Sequence, residues 1–347
     1  MDFIKRVISN AQADRKRIVF PEASEARTLR AVEIIIKEQI ADLILLGDEH
    51  EIQKSAKEIG VCLDGATFVN HKTDICRDWY ADRMLEIRKG NGLTNKRDAL
   101  KLLNDPLYFA PMMILNGDAD GEIAGANNSS AEVLRPALQF AKALPGVNAV
   151  SGVFLMFVNN PHFGYEGILV FADCSVIPNP DEHQLAEIAI TTAQTAQTLI
   201  GLDPRVAMLS FSTKGSASHP MVDKVVNATK IAKQMAPELK IDGELQLDAA
   251  IIPEVAQMTA PDSDVAGRAN ILIFPGLESA NIGYNLVHRL TKAEAIGPIL
   301  QGMSVPINDL SRGCSVSDII TMTAITANQA QEMDKAKAEV AIEEHMF

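Results

Sequence analysis

Residues 17–48 read RIVFPEASEARTLRAVEIIIKEQIADLILLGD, and the fold class follows from their texture. Arg17-Ile18-Val19-Phe20 is a short buried-strand signal, its three consecutive apolar residues the mark of a strand buried on both faces. Pro21-Glu22-Ala23-Ser24 ends it, and an amphipathic helical pattern runs from Glu25 to Lys37. Asp42-Leu43-Ile44-Leu45-Leu46-Gly47-Asp48 is a second strand, followed by helical spacing from Glu49 to Ile59 and again from Asp74 to Ile87. A strand without a polar face needs cover above and below. The alternation therefore predicts a parallel sheet with helices on both sides.

The texture changes at Pro145-Gly146. Ala149 to Phe157 and Tyr165 to Ala172 are apolar, β-branched runs joined by the turn-rich Asn159-Asn160-Pro161-His162-Phe163-Gly164, which reads as an antiparallel pair. Glu182 to Leu199 is a strong helix, and the strand-like Arg205 to Phe211 and Ile271 to Phe274 each feed a loop and another helix. No repeat, low-complexity tract or long linker interrupts the 347 residues. The expectation is an α/β protein of two three-layer domains with a ligand cleft between them.

Hydrophobic residues at 47% and charged residues at 22% are ordinary for a globular protein. Net charge is −13, from 32 basic and 45 acidic residues, which argues against nucleic acid or an anionic membrane as partner. It leaves room for a small polyanion held by a few converging arginines. No apolar run approaches the ~20 residues of a membrane span. Met1-Asp2-Phe3-Ile4-Lys5-Arg6 turns polar too early for a signal peptide, so a cytoplasmic location is expected. Cys62, Cys76, Cys174 and Cys314 show no metal-site spacing and the seven histidines are scattered singly, so neither disulfides nor a metal site is expected.

The densest chemistry lies in Asn308-Asp309-Leu310-Ser311-Arg312-Gly313-Cys314-Ser315-Val316-Ser317-Asp318. Ser315 reads as the N-cap of the helix through Ile319, with Asp318 completing a capping box. A helix N-terminus offers unpaired N–H groups to an anion, and Arg312 beside it can grip a phosphate or carboxylate through two parallel hydrogen bonds. The segment is suited to holding an oxyanion next to an acid–base group. Each part also has a structural explanation: Asp318 as cap only, Gly313 as a left-handed turn residue, Arg312 as a solvated charge. Cys314, next to a helix N-terminus and Arg312, is the thiol expected to be more acidic than usual, although no base is assigned to it.

Three strand-to-helix loops have the composition of anion sites. Ser212-Thr213-Lys214-Gly215-Ser216-Ala217-Ser218-His219-Pro220 combines small residues with the Lys214 charge, and Ser216 lies among its donors. It lacks the order of a nucleotide-triphosphate P-loop. Residues 117–130 are glycine-rich and lead to a helix carrying Arg135, but contain no Gly-x-Gly-x-x-Gly fingerprint, which weakens a dehydrogenase reading. In Phe274-Pro275-Gly276-Leu277-Glu278-Ser279-Ala280-Asn281, Asn281 is placed to contact substrate and Arg289 lies about two turns further along the helix. Plain polar turns explain these loops structurally.

Taken in order along nearly the whole chain, these blocks resemble the phosphate acetyltransferase (phosphotransacetylase) family. The resemblance runs through Arg17 to Glu22 with Arg27, Gly125-Ala126 leading to Leu134-Arg135-Pro136-Ala137-Leu138, residues 214–220, Gly243-Glu244-Leu245-Gln246-Leu247-Asp248-Ala249-Ala250, residues 274–281, and residues 308–314. It implies reversible transfer of an acetyl group from acetyl-CoA to phosphate. It also implies the fold of decarboxylating dehydrogenases such as isocitrate and isopropylmalate dehydrogenase, and usually a homodimer. The implied domains are 1–148 with 301–347, and 149–300, with the active site in the cleft between them.

By motif, Ser311, Arg312 and Asp318 take the catalytic positions, while Arg88, Arg135 and Arg289 match arginines that bind CoA or phosphate; Gly313 offers a backbone donor. Two departures stand out. Around Arg88 the chain reads Arg88-Lys89-Gly90-Asn91-Gly92-Leu93-Thr94 where the family often has Arg-x-x-Lys-Gly, and Asn127-Asn128-Ser129-Ser130 lacks the threonine common there.

These parts suggest a direct reaction in which Asp318 accepts the CoA thiol proton while Arg312 holds the phosphoryl oxygens of acetyl phosphate. Coenzyme A is then a substrate, and no further cofactor is expected. Two rivals stand beside this reading: a phosphate butyryltransferase, and a non-catalytic acetyl-CoA-sensing module of the kind found fused to malic enzymes.

Overall fold

The computed structural model describes residues 2–144, 147–158 and 160–345. Pro145-Gly146, where the texture changes, and Asn159 of the expected turn lie outside them. The chain divides into two compact units, Met1–Lys142 with Met303–Phe347, and Ala143–Gly302.

In chain order the first unit contains α1 (Asp2–Ala13), β1 (Arg17–Phe20), α2 (Ala26–Lys37), β2 (Asp42–Leu46), α3 (Glu49–Glu58), β3 (Thr67–Val69), α4 (Arg77–Ile87), α5 (Lys96–Leu102), α6 (Pro106–Leu115), β4 (Gly121–Ala124) and α7 (Ser130–Phe140). The second contains β5 (Ser151–Phe157), β6 (Ile168–Ala172), α8 (Glu182–Ile200), β7 (Arg205–Leu209), α9 (Pro220–Met235), β8 (Lys240–Leu245), α10 (Leu247–Ile251), α11 (Pro253–Thr259), β9 (Ile271–Ile273), α12 (Leu277–Thr291) and β10 (Glu294–Gln301). The chain then returns to the first unit as β11 (Ile307–Asp309) and α13 (Val316–His345).

The first sheet has the order β11-β4-β1-β2-β3, every pair parallel. β1 is central, and Ile18, Val19 and Phe20 are buried, as the opening run requires. Helices α2 and α13 pack together over one face; α6 and α7 pack together over the other. Gly121 is needed where α13 approaches β4, since a Cβ there would stand 2.6 Å from Thr326 Cγ2. Asn308 Nδ2 donates to Thr326 Oγ1 at 2.8 Å, pinning the last strand to the last helix. All five strands point the same way, so the loops after β1, β4 and β11 emerge side by side at the carboxyl edge. Helix α4 begins at Arg77 rather than Asp74 because Asp74 turns the chain by accepting the Cys76 N–H at 2.8 Å.

The second sheet has the order β10-β5-β6-β9-β7-β8, with β5 antiparallel to both neighbours and the other pairs parallel. The expected antiparallel pair is therefore β5 with β6, Leu155 facing Val170. Helices α8 and α9 pack together beside this sheet, and α12 packs on β5, β6 and β10, where Tyr284 stacks on Phe154 with ring centroids 4.3 Å apart. Asp181 caps α8 by accepting two N–H groups, with Gln184 closing the box. No helix among the described residues is long and apolar enough to cross a membrane.

Candidate active site

β11 ends at Asp309, and residues 311–314 form a tight turn in which Cys314 N–H donates to Ser311 O at 2.8 Å. The Ser311 hydroxyl accepts the Gly313 N–H at 3.2 Å. Gly313 is not among the glycines with positive φ, so its place here does not rest on left-handed backbone. Helix α13 follows, opened by a reciprocal pair: Ser315 N–H to Asp318 Oδ2 at 2.7 Å and Asp318 N–H to Ser315 Oγ at 3.1 Å. Asp318 is thus a capping residue, as its spacing allowed. Capping uses one lone pair of one oxygen, and a carboxylate has about four acceptor sites. The half-buried Asp318 therefore keeps acceptor capacity for a second partner.

The turn is held from below by Arg27, in the first turn of α2. Its Nη1 donates to the carbonyl oxygens of Arg312 and Cys314, both at 2.8 Å, its Nη2 to Ala126 O at 2.6 Å, and its Nε to Glu25 Oε1 at 2.8 Å. Glu22, just past β1, does the converse. Its carboxylate accepts the N–H groups of Gly125, Ala126, Asn127 and Asn128 at 2.8–3.0 Å and the Asn128 side-chain amide at 2.6 Å. The glycine-rich loop after β4 has the nest composition of an anion site, but the anion it holds is this internal glutamate.

Burial also decides the state of two neighbouring groups. Asp309 is 1% exposed, and neither carboxyl oxygen receives a hydrogen bond of ordinary geometry. Burial pushes its carboxyl up to about 7, with Glu22's charge adding to the effect and the Ser130 hydroxyl and Leu310 N–H drawing it back only in part. Gly125 makes room for it, since a Cβ there would lie 2.3 Å from Asp309 Oδ1. The expectation of an acidic Cys314 fails for the same reason. Burial pushes that thiol up to about 11; Arg27 pulls it down, but Asp318, Glu25 and Glu22 add to the rise.

Arg312 is exposed, and its side chain forms no hydrogen bond or ion pair among the described residues; the same holds for Arg135 on α7. Both lie near Glu132. Hydrogen bonds from Ser129 hold that carboxyl below its usual range, and the charges of Arg312 and Arg135 lower it further. The first unit thus gathers Ser311, Arg312, Gly313, Asp318 and Arg135 at the carboxyl edge of its sheet. Arg88 caps the end of α4 and donates to Asn91 O at 2.8 Å. No contact among the described residues ties it to that group.

In the second unit, a buried glutamate also anchors the loop after β7, through fewer donors than Glu22 has. Glu244 Oε1 accepts the Gly215 N–H at 2.7 Å and the Ser212 hydroxyl at 2.9 Å. Ser216 Oγ accepts the Thr213 N–H at 2.9 Å. Lys214 turns its ammonium onto Asp242 at 2.7 Å and Gly243 O at 3.1 Å. Burial alone would raise the Asp242 carboxyl, yet Lys214, Ser263 and Lys233 together bring it down to about 2. Lys214 and Ser216 so share one loop with their polar atoms engaged internally. Asn281 and Arg289 share α12, both exposed, eight residues or roughly 12 Å apart along the axis.

Sequence reasoning assigned no role to Glu22, Glu244 or Asp309. The available signal was position: an acid immediately past or at the end of an apolar strand, where loop N–H groups collect.

The comparisons with known proteins agree with one another. The sequence profile described as phosphate acetyl/butaryl transferase matches residues 2–327. The chain is similar to a phosphate acetyltransferase of Thermoanaerobacterium thermosaccharolyticum, 52% identical over 331 residues, 95% of this chain and 100% of that one. It is similar to another of that name from Clostridium acetobutylicum, 51% identical over 331 residues, 95% of this chain and 99% of that one. Among solved structures, a phosphotransacetylase from Streptococcus pyogenes matches with a TM-score of 0.90 at 44% identity, covering 95% of this chain and 98% of its own.

Proposed function

The chain belongs to the phosphate acetyl/butaryl transferase family, and we propose that it is a phosphate acetyltransferase, interconverting acetyl-CoA plus phosphate with CoA plus acetyl phosphate. One observation carries the chemical reading. The side chain of Arg312, without an internal hydrogen bond or ion pair among the described residues, stands on the turn that leads directly into the Asp318 capping box.

A CoA thiol ionises near pH ~8.5 in water, so attack at neutral pH needs a base. Asp318 takes the thiol proton on a lone pair not used for capping. The sulfur attacks the acetyl carbonyl carbon of acetyl phosphate, the C–S bond forms, and the C–O bond to phosphorus breaks. Phosphate leaves with the electron pair, its oxygens held by the Arg312 fork. Ser311 has one proton to give while still accepting from Gly313, so it can donate to the developing oxyanion, a contact typically worth about 3 kcal/mol. In reverse, phosphate oxygen attacks the thioester and the departing thiolate recovers its proton from Asp318.

The remaining arginines, Arg135, Arg88 and Arg289, are proposed to bind the phosphates of CoA. Lys214, Ser216 and Asn281 are proposed as substrate contacts, which for Lys214 requires release from Asp242. No prosthetic group is needed for these steps. The unpaired state of Cys62, Cys76, Cys174 and Cys314 supports a cytoplasmic, reducing setting. A homodimer is supported by α12, which exposes Ile282, Leu286 and Leu290 at four-residue intervals.

The test is release of CoA from acetyl-CoA by the purified protein, with and without phosphate. Phosphate-dependent release that favours acetyl-CoA over butyryl-CoA supports the reading. A preference for butyryl-CoA selects the butyryl enzyme, and binding of acetyl-CoA without turnover in either direction selects a sensor.

A further inference from the structure

We propose that Arg27 is a positioning residue for this reaction, setting the direction in which Arg312 and Ser311 leave their turn; the inference rests on the acetyl-transfer reading above. Four of its hydrogen bonds end on three separate segments: Glu25 beside it, Ala126 in the loop after β4, and Arg312 and Cys314 in the turn after β11. The two turn carbonyls flank Gly313, the residue most able to change its backbone angles. Fixing both sides of that glycine, with Cys314 N–H closing on Ser311 O, leaves the Arg312 Cα–Cβ bond one direction.

The same connection supplies the opposite polarity. Glu22 takes the backbone donors of residues 125–128, and Arg27 takes the acceptors of residues 126, 312 and 314. One short stretch, residues 22–27, thus binds two loops that are distant in sequence into a single frame. The turn itself has few other restraints, since Ser311, Arg312 and Gly313 are all exposed. A guanidinium is the one side chain with a planar fork able to serve these acceptors together. Lysine keeps the charge but presents three donors from one nitrogen, which cannot reach Ala126 O and Glu25 while holding both turn carbonyls.

A purely architectural arginine would affect the amount of folded protein and little else. A positioning one affects the chemical step in protein that is folded. Arg27→Lys and Arg27→Ala are therefore compared with wild type for kcat, for KM of phosphate and acetyl-CoA, and for amide hydrogen exchange across residues 311–318. Arg27→Lys is expected to lower kcat about 30- to 100-fold, because misplacing a catalytic group by about an ångström costs that order. KM for phosphate should rise while KM for acetyl-CoA changes little, and exchange at Gly313 and Cys314 should quicken by about tenfold. Millimolar methylguanidinium should restore part of the activity of Arg27→Ala, and methylammonium should not.

Arg27→Lys with kcat within about threefold of wild type, or with unchanged exchange in residues 311–318, overturns the proposal. An inactive wild type would instead defeat the acetyl-transfer reading, while the exchange measurement would still decide whether Arg27 holds the turn.

Discussion

Replacing Asp309 by asparagine should remove a pH dependence from the stability of the first unit. The side chain is 1% exposed, its oxygens receive no hydrogen bond of ordinary geometry, and its carboxyl is pushed from 3.8 up to about 7, first by burial and then by the charge of Glu22, against a partial pull from Ser130 and Leu310. Glu122, on the neighbouring strand, is itself buried and raised well above the usual glutamate range by burial, Glu22 and Asp105. A group whose folded value is raised holds its proton more tightly when folded than unfolded. For an acid, that favours the native state at low pH, and the advantage is lost as pH rises from about 4 to about 7. At about 1.4 kcal/mol per pH unit the full loss is about 4 kcal/mol, and the part falling between pH 5 and 8 is about 3 kcal/mol.

Asparagine keeps the shape and cannot ionise, but buries an amide without partners, at a pH-independent cost of about 1–3 kcal/mol. Relative to wild type, Asp309→Asn should therefore gain about 3 kcal/mol between pH 5 and pH 8, ending the more stable of the two. The protein has a single tryptophan, Trp79 on α4 in the first unit, so urea unfolding followed by its fluorescence reads that unit. A stability difference between variant and wild type that is the same at pH 5, 6, 7 and 8 would falsify the argument, because Asp309 would then not be titrating in the folded protein.

Three further outcomes are expected. Asp318→Asn keeps an acceptor for Ser315 N–H but loses the base, so turnover should fall about 10²- to 10⁴-fold with little loss of stability, whereas Asp318→Ala should also lose about 1 kcal/mol of helix capping; normal turnover in the asparagine variant removes Asp318 from the chemistry. Arg312→Lys should weaken saturation by phosphate and acetyl phosphate more than by CoA, and weakening confined to CoA would show that Arg312 does not hold the phosphoryl group. Gly125→Ala should cost more than about 3 kcal/mol or abolish soluble protein, because its φ is +107° and its Cβ would meet Leu310 O at 2.5 Å as well as Asp309. Gly313→Ala, whose Cβ would meet only Ser311 Oγ at 3.7 Å, should change stability by less than about 1 kcal/mol; equal effects in thermal unfolding would contradict this contrast.

What could be read in advance was local. Arg17 to Phe20 announced a buried strand because Ile18, Val19 and Phe20 in succession leave no polar face, and β1 is central in its sheet. Ser315 and Asp318 announced a capping box because both partners lie within one turn, and both hydrogen bonds form. The pairing of β5 with β6 was legible from two runs and a turn between them. Strand ends were less so: the run from Arg205 to Phe211 stops pairing at Leu209, where the loop turns toward Glu244.

The loops show where local reading stops. Residues 125–128 and 212–216 have the small side chains of a phosphate cradle, and composition says no more than that. Whether the cradle is open depends on an acid elsewhere in the chain: Glu22, 103 residues before Gly125, and Glu244, 32 residues after Ser212, are what fill these two. Arg312 differs from these loops in a way sequence could not show, since nothing in the described residues takes its guanidinium, while Arg27 spends its own on holding that turn. A carboxylate anchored inside a nest costs no diffusing ligand and leaves the backbone rigid; a cation left unpaired at the edge of that rigid frame is the group free to meet an exchanging phosphate. The division of labour follows from this: internal ions fix the loops, and the exposed arginines, unpaired within the chain, are left for substrate.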